Sequence, residues 1–206
     1  MVLAMVVAFL ASYFLGNING AVSMSALLAQ DDVRKHGSGN AGLTNFIRIF
    51  GRAQAVYVVI IDMSKAVLSC LLGGMLLEPY GLRMEGAMLA AVAVSLGHDF
   101  PAILGFKGGK GILCGVSIAA VLDWRCALII LGVFLIFFLA TRYVSLGSVM
   151  GALAFVISFA VFHYTNIWVI AGAVFIGGLA IFMHRGNIQR LLQGTERKSS
   201  LFGKKI

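Results

Sequence analysis

GHDFPAILGFKGGKG, residues 97–111, decides how many times this chain is read as crossing a membrane. It lies between two short apolar runs, Met84 to Gly97 and Ile112 to Leu122. A bilayer core of about 30 Å needs about 20 helical residues at about 1.5 Å each, and neither run is that long. They are therefore either short or tilted spans, or re-entrant pieces shielded by neighbouring helices. If neither crosses, Lys107 and Lys110 are stranded on the outer side, against the preference of Lys and Arg for the cytoplasmic side of short loops.

The remaining runs are longer: Val2 to Ala29, Ala53 to Leu77, Trp124 to Thr141, Leu146 to Phe162 and Asn166 to Met183. Counting all seven with the N-terminus outside places Arg34, Lys35, Arg48, Arg52, Lys107, Lys110 and Arg142 inside, with the six basic residues from Arg185 to Lys205. Only Arg83 and Arg125 then face out. Merging Ile112 to Thr141 into one span reverses everything after it. The expected fold is an all-α polytopic integral membrane protein of about seven transmembrane helices, N-terminus outside and C-terminus cytoplasmic, forming a single membrane-embedded domain over residues 1–206. No cationic region precedes the first run and no cleavage pattern interrupts it, so it reads as a retained helix.

Composition supports this. Of 206 residues, 60% are hydrophobic and 12% charged, with a mean hydropathy of +0.98, outside the range of soluble domains. The formal net charge of +8 points to cytoplasmic loops and anionic headgroups; no basic stripe interleaved with aromatics suggests nucleic acid. Cys70, Cys114 and Cys126 each lie in an apolar run and read as packing residues. Asp62 and Lys65 stand inside the second long run at i, i+3 and are expected to pair. His163 reads as incidental at the outer face. The tail TERKSSLFGKKI reads as a solvated basic terminus.

With seven spans, four polar segments far apart in sequence meet on one face: HGSGNAGLTN (36–45), GHDFPAILGFKGGKG (97–111), TRYVSLGS (141–148) and HRGNIQRLLQGTE (184–196). The glycine-rich stretch is not a Walker loop, because Leu104 stands where its first glycine belongs and Gly111 follows Lys110. The physics of such loops still holds. Glycines let successive amides approach an anion, a helix starting near Ile112 offers its positive end, and Lys107 and Lys110 add charge. The plainer reading is a basic membrane-facing turn.

HGSGNAGLTN joins glycines to Ser38, Asn40, Thr44 and Asn45, with Arg48 following. These short side chains either bind substrate oxygens or cap the next helix. Arg142, Ser145 and Ser148 open the sixth span, and an arginine there either grips phosphate or anchors topology. His184 and Asn187 share one helical face at i, i+3. None of the four histidines is followed by an aspartate five residues on: Ala41, Ile103, Trp168 and Gln189 stand there. No G-x-S-x-G, H-E-x-x-H or C-x-x-C motif occurs, and no metal or cofactor is expected.

G-S-G-N-A-G-L-T-N, G-H-D-F-P…F-K-G-G-K-G, S-L-G-S and H-R-G-N-I-Q-R-L-L-Q-G-T-E, taken in this order across nearly the whole chain, resemble the acyl-phosphate-dependent glycerol-3-phosphate acyltransferases, the PlsY family. Gly16-Asn17-Ile18-Asn19 departs from the family's usual G-S-I-P, Leu43 from an alanine, Ala66 from a glycine and Ile112-Leu113-Cys114 from V-A-T. The resemblance implies an enzyme of the bacterial inner membrane that makes lysophosphatidic acid from acyl phosphate and glycerol 3-phosphate at its cytoplasmic face. A soluble acyl-phosphate-producing enzyme would be its partner.

On that basis Gly108, Gly109 and Gly111, with Lys107 or Lys110, are expected to hold the acyl-phosphate headgroup. Ser38 and Asn40 would orient the carbonyl, and Arg48, Lys107, Ser145, His184 and Asn187 would face glycerol 3-phosphate or the reacting atoms. Thr44, Asn45, Arg142 and Ser148 complete the expected binding set. The hydroxyl proton goes either to His184 or to the departing phosphate. Rival readings are a transporter or channel for a small organic anion and an accessory subunit of lipid synthesis.

Overall fold

The computed structural model describes residues 1–199. Within them the chain is helical, without strands: α1 Val2–Asn17, α2 Gly20–Ala29, α3 Leu43–Phe50, α4 Ala55–Leu77, α5 Arg83–Asp99, α6 Ile112–Leu122, α7 Trp124–Thr141, α8 Val144–Phe162, α9 Ile167–Met183 and α10 Arg185–Leu192. The end of the basic tail, Lys204 and Lys205 included, lies outside the described residues.

Five stretches are long and apolar enough to cross a bilayer: Val2–Ala29, Ala55–Tyr80, Arg83–Leu104, Trp124–Thr141 and Val144–Phe162. α9 and α10, bent by 55° at His184, form a sixth if taken together. α6 has 11 residues and, at about 1.5 Å per residue, covers roughly half of a bilayer core. The third segment, expected to be short, is full length, because α5 begins at Arg83 and a further turn, Ala102–Leu104, follows it. Apolar side chains face outward along the bundle, among them Leu128, Ile136, Leu139, Ile157 and Val161, as expected of helices bathed in lipid.

The first expected span is not continuous. Ile18 and Asn19 are extended, and side chains engage polar groups around the break. Asn19 accepts from the Val22 amide to cap α2 and donates to the Ala41 carbonyl. Asn17 donates to the Tyr13 carbonyl and accepts from the Ile103 amide. Lys65 reaches from α4 to the carbonyls of Gly16 and Ile18, at 3.2 and 2.6 Å. Broken helices survive inside a membrane where neighbours satisfy the backbone in this way.

α5 lies at the centre, crossing α1 and α4 at bare backbone. A Cβ on Gly97 would stand 2.1 Å from the Tyr13 carbonyl oxygen, and one on Gly73 would stand 2.3 Å from that of Gly86. Lipid offers no hydrophobic drive for helix association, so van der Waals contact at such glycine crossings holds these helices together. Around them Cys70, Met88, Val94, Ile118, Cys126, Phe155, Phe159 and Ile176 form the main core. All three cysteines are buried and free, as their apolar settings predict. Ala21, Met24, Val33, Phe46 and Val58 form a second cluster beneath the first polar loop.

Candidate active site

The four polar segments converge on one cavity of about 570 Å³ at the end of the bundle where α6 and α8 begin. Of the expected residues, Ser38, Asn40, Thr44, Asn45, Arg48, Lys110, Gly111, Ser145, Ser148, His184 and Asn187 line it. Lys107, Gly108, Gly109 and Arg142 do not.

The first segment is shaped by Asn45, which is buried. Its Nδ2 donates to the carbonyls of Val33, His36 and Asn40 at 3.0, 3.0 and 3.2 Å. Its Oδ1 accepts from the Ser38 amide and from Arg48. Gly37, at φ +63°, lies so close that a Cβ would be 2.3 Å from that oxygen. Asn45 is thus the knot that folds residues 33–45 and presents Ser38 and Asn40; it does not cap α3, whose N-cap is Gly42.

The glycine-rich segment differs from expectation. The Gly108 amide donates to the Asp99 carbonyl at 3.2 Å and the Gly109 amide to the His98 carbonyl at 3.0 Å. Neither amide is open to an anion, contrary to the expected role. These glycines are there for close approach: a Cβ on Gly108 would sit 2.0 Å from the His98 oxygen, and one on Gly109 2.2 Å from His98 Nε2. Arg34 braces the loop from outside, donating to the carbonyls of Leu104 and Lys107. Gly111 takes φ +71° as the N-cap of α6 and faces the cavity.

Of the two lysines in this loop, Lys110 is the one that lines the cavity. Its Nζ donates to Asn187 Oδ1. Burial, together with the charge of Arg190, lowers its pKa to about 8, despite the opposing pull of Glu196. Glu196 organises this wall: Ser145 Oγ, Asn187 Nδ2 and Arg190 Nε donate to it at 2.7, 2.6 and 2.7 Å. Burial opposes its charge, but these donors outweigh that and hold the carboxyl below its ordinary range. Ser148 donates to the Val144 carbonyl. Arg142 ends α7 in the left-handed conformation, and its carbonyl accepts from the Ser199 amide, so its backbone clips the returning tail.

His184 stands at the bend between α9 and α10, almost fully buried. Its Nδ1 lies 2.8 Å from the Ala180 carbonyl. A carbonyl only accepts, so Nδ1 carries the hydrogen and Nε2 keeps its lone pair. Desolvation, with Lys110 nearby, lowers the pKa to about 4, although the Ala180 contact and Glu196 act the other way. The ring is therefore neutral at physiological pH.

The wall also contains residues that the sequence did not single out for the site, among them Glu196, Asp62 and His98. The Asp62–Lys65 pair forms as expected, at 2.9 Å, but its carboxylate also borders the cavity. Glu196 gave one signal, as the carboxylate that closes a polar motif rich in amides and arginines.

A second, apolar cavity of about 180 Å³ opens between α4, α6, α7, α8 and α9, lined by Met63, Val116, Ile130, Phe155 and Ile176 among others. It shares Gly111, Ile112, Leu113, Phe134 and Ser148 with the polar one. A polar head and an apolar tail of one molecule can thus be held side by side. Among the described residues, Asp123, Cys126 and His163 bring potential metal-ligand atoms within 4.8 Å of one another at the opposite end of the bundle. Arg125 already grips that carboxylate with two hydrogen bonds, and the start of α7 adds positive potential, a poor setting for a cation.

Residues 6–194 match the family model described as glycerol-3-phosphate acyltransferase. The chain is 39% identical over 188 residues to the glycerol-3-phosphate acyltransferase of Thermoanaerobacter pseudethanolicus, covering 91% of each chain. It is 37% identical over 199 residues to glycerol-3-phosphate acyltransferase 1 of Deinococcus radiodurans, covering 96% of this chain and 97% of the other. It is also similar to two crystal structures of PlsY, an integral membrane glycerol 3-phosphate acyltransferase. The glycerol 3-phosphate form matches with TM-score 0.87, 32% identity and 96% of both chains covered. The lysophosphatidic acid form matches with TM-score 0.84, 31% identity and 94% of both covered.

Proposed function

The chain belongs to the glycerol-3-phosphate acyltransferase family, and we propose that it transfers a fatty acyl group from acyl phosphate to glycerol 3-phosphate, giving lysophosphatidic acid and phosphate. The observation that carries this is the pair of adjoining cavities: a cationic, hydrogen-bonding chamber that shares the Gly111–Leu113 and Phe134 wall with an apolar slot. The slot takes the acyl chain. The shared wall puts the acyl carbonyl at the chamber mouth, where Lys110 and the N-terminus of α6 face the phosphate. Arg48, Ser145 and Asn187 then hold glycerol 3-phosphate.

An acyl phosphate is a mixed anhydride with a good leaving group, so positioning and charge stabilisation supply most of the catalysis. The acceptor hydroxyl attacks the acyl carbonyl carbon. A C–O ester bond forms, the bond between that carbon and the bridging oxygen breaks, and phosphate leaves with the electron pair. Nε2 of His184 accepts the hydrogen bond that aims the hydroxyl. An imidazole with a pKa of about 4 is a weaker base than the departing phosphate, which carries the electron pair of the broken bond, so the proton ends on that phosphate.

The chamber would face the cytoplasm, with seven crossings and the N-terminus outside. Support comes from charge: Arg83 and Arg125, at the other end, are each paired with an acid, Glu78 and Asp123, while most other basic residues lie at the chamber end. The test supplies purified protein with acyl phosphate and glycerol 3-phosphate and measures lysophosphatidic acid and phosphate. Release of equal amounts is expected; product from an acyl thioester but not from acyl phosphate would overturn the donor assignment.

A further inference from the structure

We infer that His98 is a further substrate-contacting residue, whose Nε2–H is held toward the anion beside Lys110 and Gly111 by a buried Lys65–Asp62 pair. This rests on the proposed reaction and deepens it.

Three observations carry the inference. First, Lys65 Nζ lies 2.8 Å from His98 Nδ1 and 2.9 Å from Asp62 Oδ1, all three residues being nearly inaccessible. An ammonium has hydrogens and no lone pair, so Nδ1 must be the acceptor. The ring's hydrogen is then on Nε2, the opposite tautomer to that of His184. Asp62 cannot rotate away from Lys65, because its Oδ1 also accepts from the Gly20 amide at 3.1 Å. Lys65 is fixed in turn by the carbonyls of Gly16 and Ile18.

Second, the Nε2 edge faces the glycine loop, where a Cβ on Gly109 would stand 2.2 Å from Nε2 and 2.9 Å from Cε1. The missing side chain of Gly109 lets the loop pack directly against this end of the ring. Third, His98 and Asp62 both belong to the wall of the polar chamber, with Lys110 and Gly111. A neutral N–H beside a lysine suits a phosphate oxygen, and it stays fixed while charge moves from the anhydride to the leaving group.

The test compares purified wild type with His98→Gln, His98→Asn, Lys65→Arg and Lys65→Met, measuring kcat, both KM values and the inhibition constant of inorganic phosphate. The Gln amide nitrogen reaches the place of Nε2, whereas that of Asn reaches only the place of Nδ1. His98→Asn is expected to raise the phosphate constant at least about tenfold, the loss of one hydrogen bond to a charged group, and His98→Gln to recover most of it. Lys65→Met, which releases the tautomer, should follow His98→Asn, and Lys65→Arg should not. An unchanged phosphate constant, or equal losses in Gln and Asn tracking lower thermal stability, overturns the inference and leaves a packing role. Gly109→Ala presses on the His98 ring from the loop side, and an unchanged phosphate constant there also overturns it. Wild-type protein without transferase activity would instead sink the proposed reaction, and phosphate binding to wild type and His98→Asn, followed by 31P NMR, would then decide the role of His98 alone.

Discussion

Lys110 donates its ammonium hydrogen to the side-chain oxygen of Asn187, joining the glycine-rich loop to α10. The bond matters because a buried lysine is easily discharged. With its pKa lowered to about 8, Lys110 is charged below that pH and neutral above it. Its grip on phosphate should therefore weaken as pH rises through about 8. The KM for the phosphate substrates is expected to climb along that limb, and Lys110→Arg, which stays charged, should move the limb upward. An identical limb in the arginine variant would assign it to another group.

His184 sets the opposite limb. Its depressed pKa of about 4 means that Nε2 keeps its lone pair through the mildly acidic range, where an ordinary histidine is half protonated near pH 6.5. The acid limb of kcat/KM, which reports the free enzyme, is expected near pH 4. His184→Ala should lower turnover by about a hundredfold through lost orientation of the hydroxyl. Near-normal turnover in that variant would remove His184 from the reaction.

Asn45 gives a stability prediction. Replacing it with Ala leaves the Asn40 carbonyl and the Ser38 amide without their partner, and takes one of two bonds from the carbonyls of Val33 and His36, which keep the amides of His36 and Gly39. Each unsatisfied buried group costs about 1–3 kcal/mol, and water entry at the loop offsets part of this. Asn45→Ala should lower the unfolding midpoint and abolish activity together. Thr44→Ala, on the same wall, should affect activity more than stability.

Much of the architecture was legible because lipid demands long apolar helices and confines cations to loops. The Asp62–Lys65 pair and the buried cysteines followed from the same demand. What stayed hidden depended on contacts between distant segments. Val2 to Ala29 reads as one apolar run, and its break at Ile18 is held open by a lysine from another helix. Gly108 and Gly109 have a composition that suits an anion-binding loop equally well, and only the carbonyls of His98 and Asp99 on their amides show that they serve packing. His98 lies inside the 97–111 stretch, yet its tautomer depends on Lys65, out of sight in the sequence.

The glycine crossings make the last prediction. Gly97 and Gly132 are both glycines within helices, and helix propensity alone gives Gly→Ala a gain of about 0.5–1 kcal/mol at either. Their surroundings reverse that equality. At Gly97 the new methyl would lie 2.1 Å from the Tyr13 carbonyl and 3.0 Å from Gly16 Cα, so α1 and α5 must separate. Overpacking of this kind costs about 1–3 kcal/mol, and here it also strains the Lys65 contact with the Gly16 carbonyl. At Gly132 nothing lies within 4 Å. Thermal unfolding in detergent should show Gly97→Ala losing stability and Gly132→Ala holding or gaining it. Equal shifts in the two would mean that the close α1–α5 crossing does not exist, and with it would go the placement of His98 against the glycine loop, since His98 follows Gly97 directly in the chain.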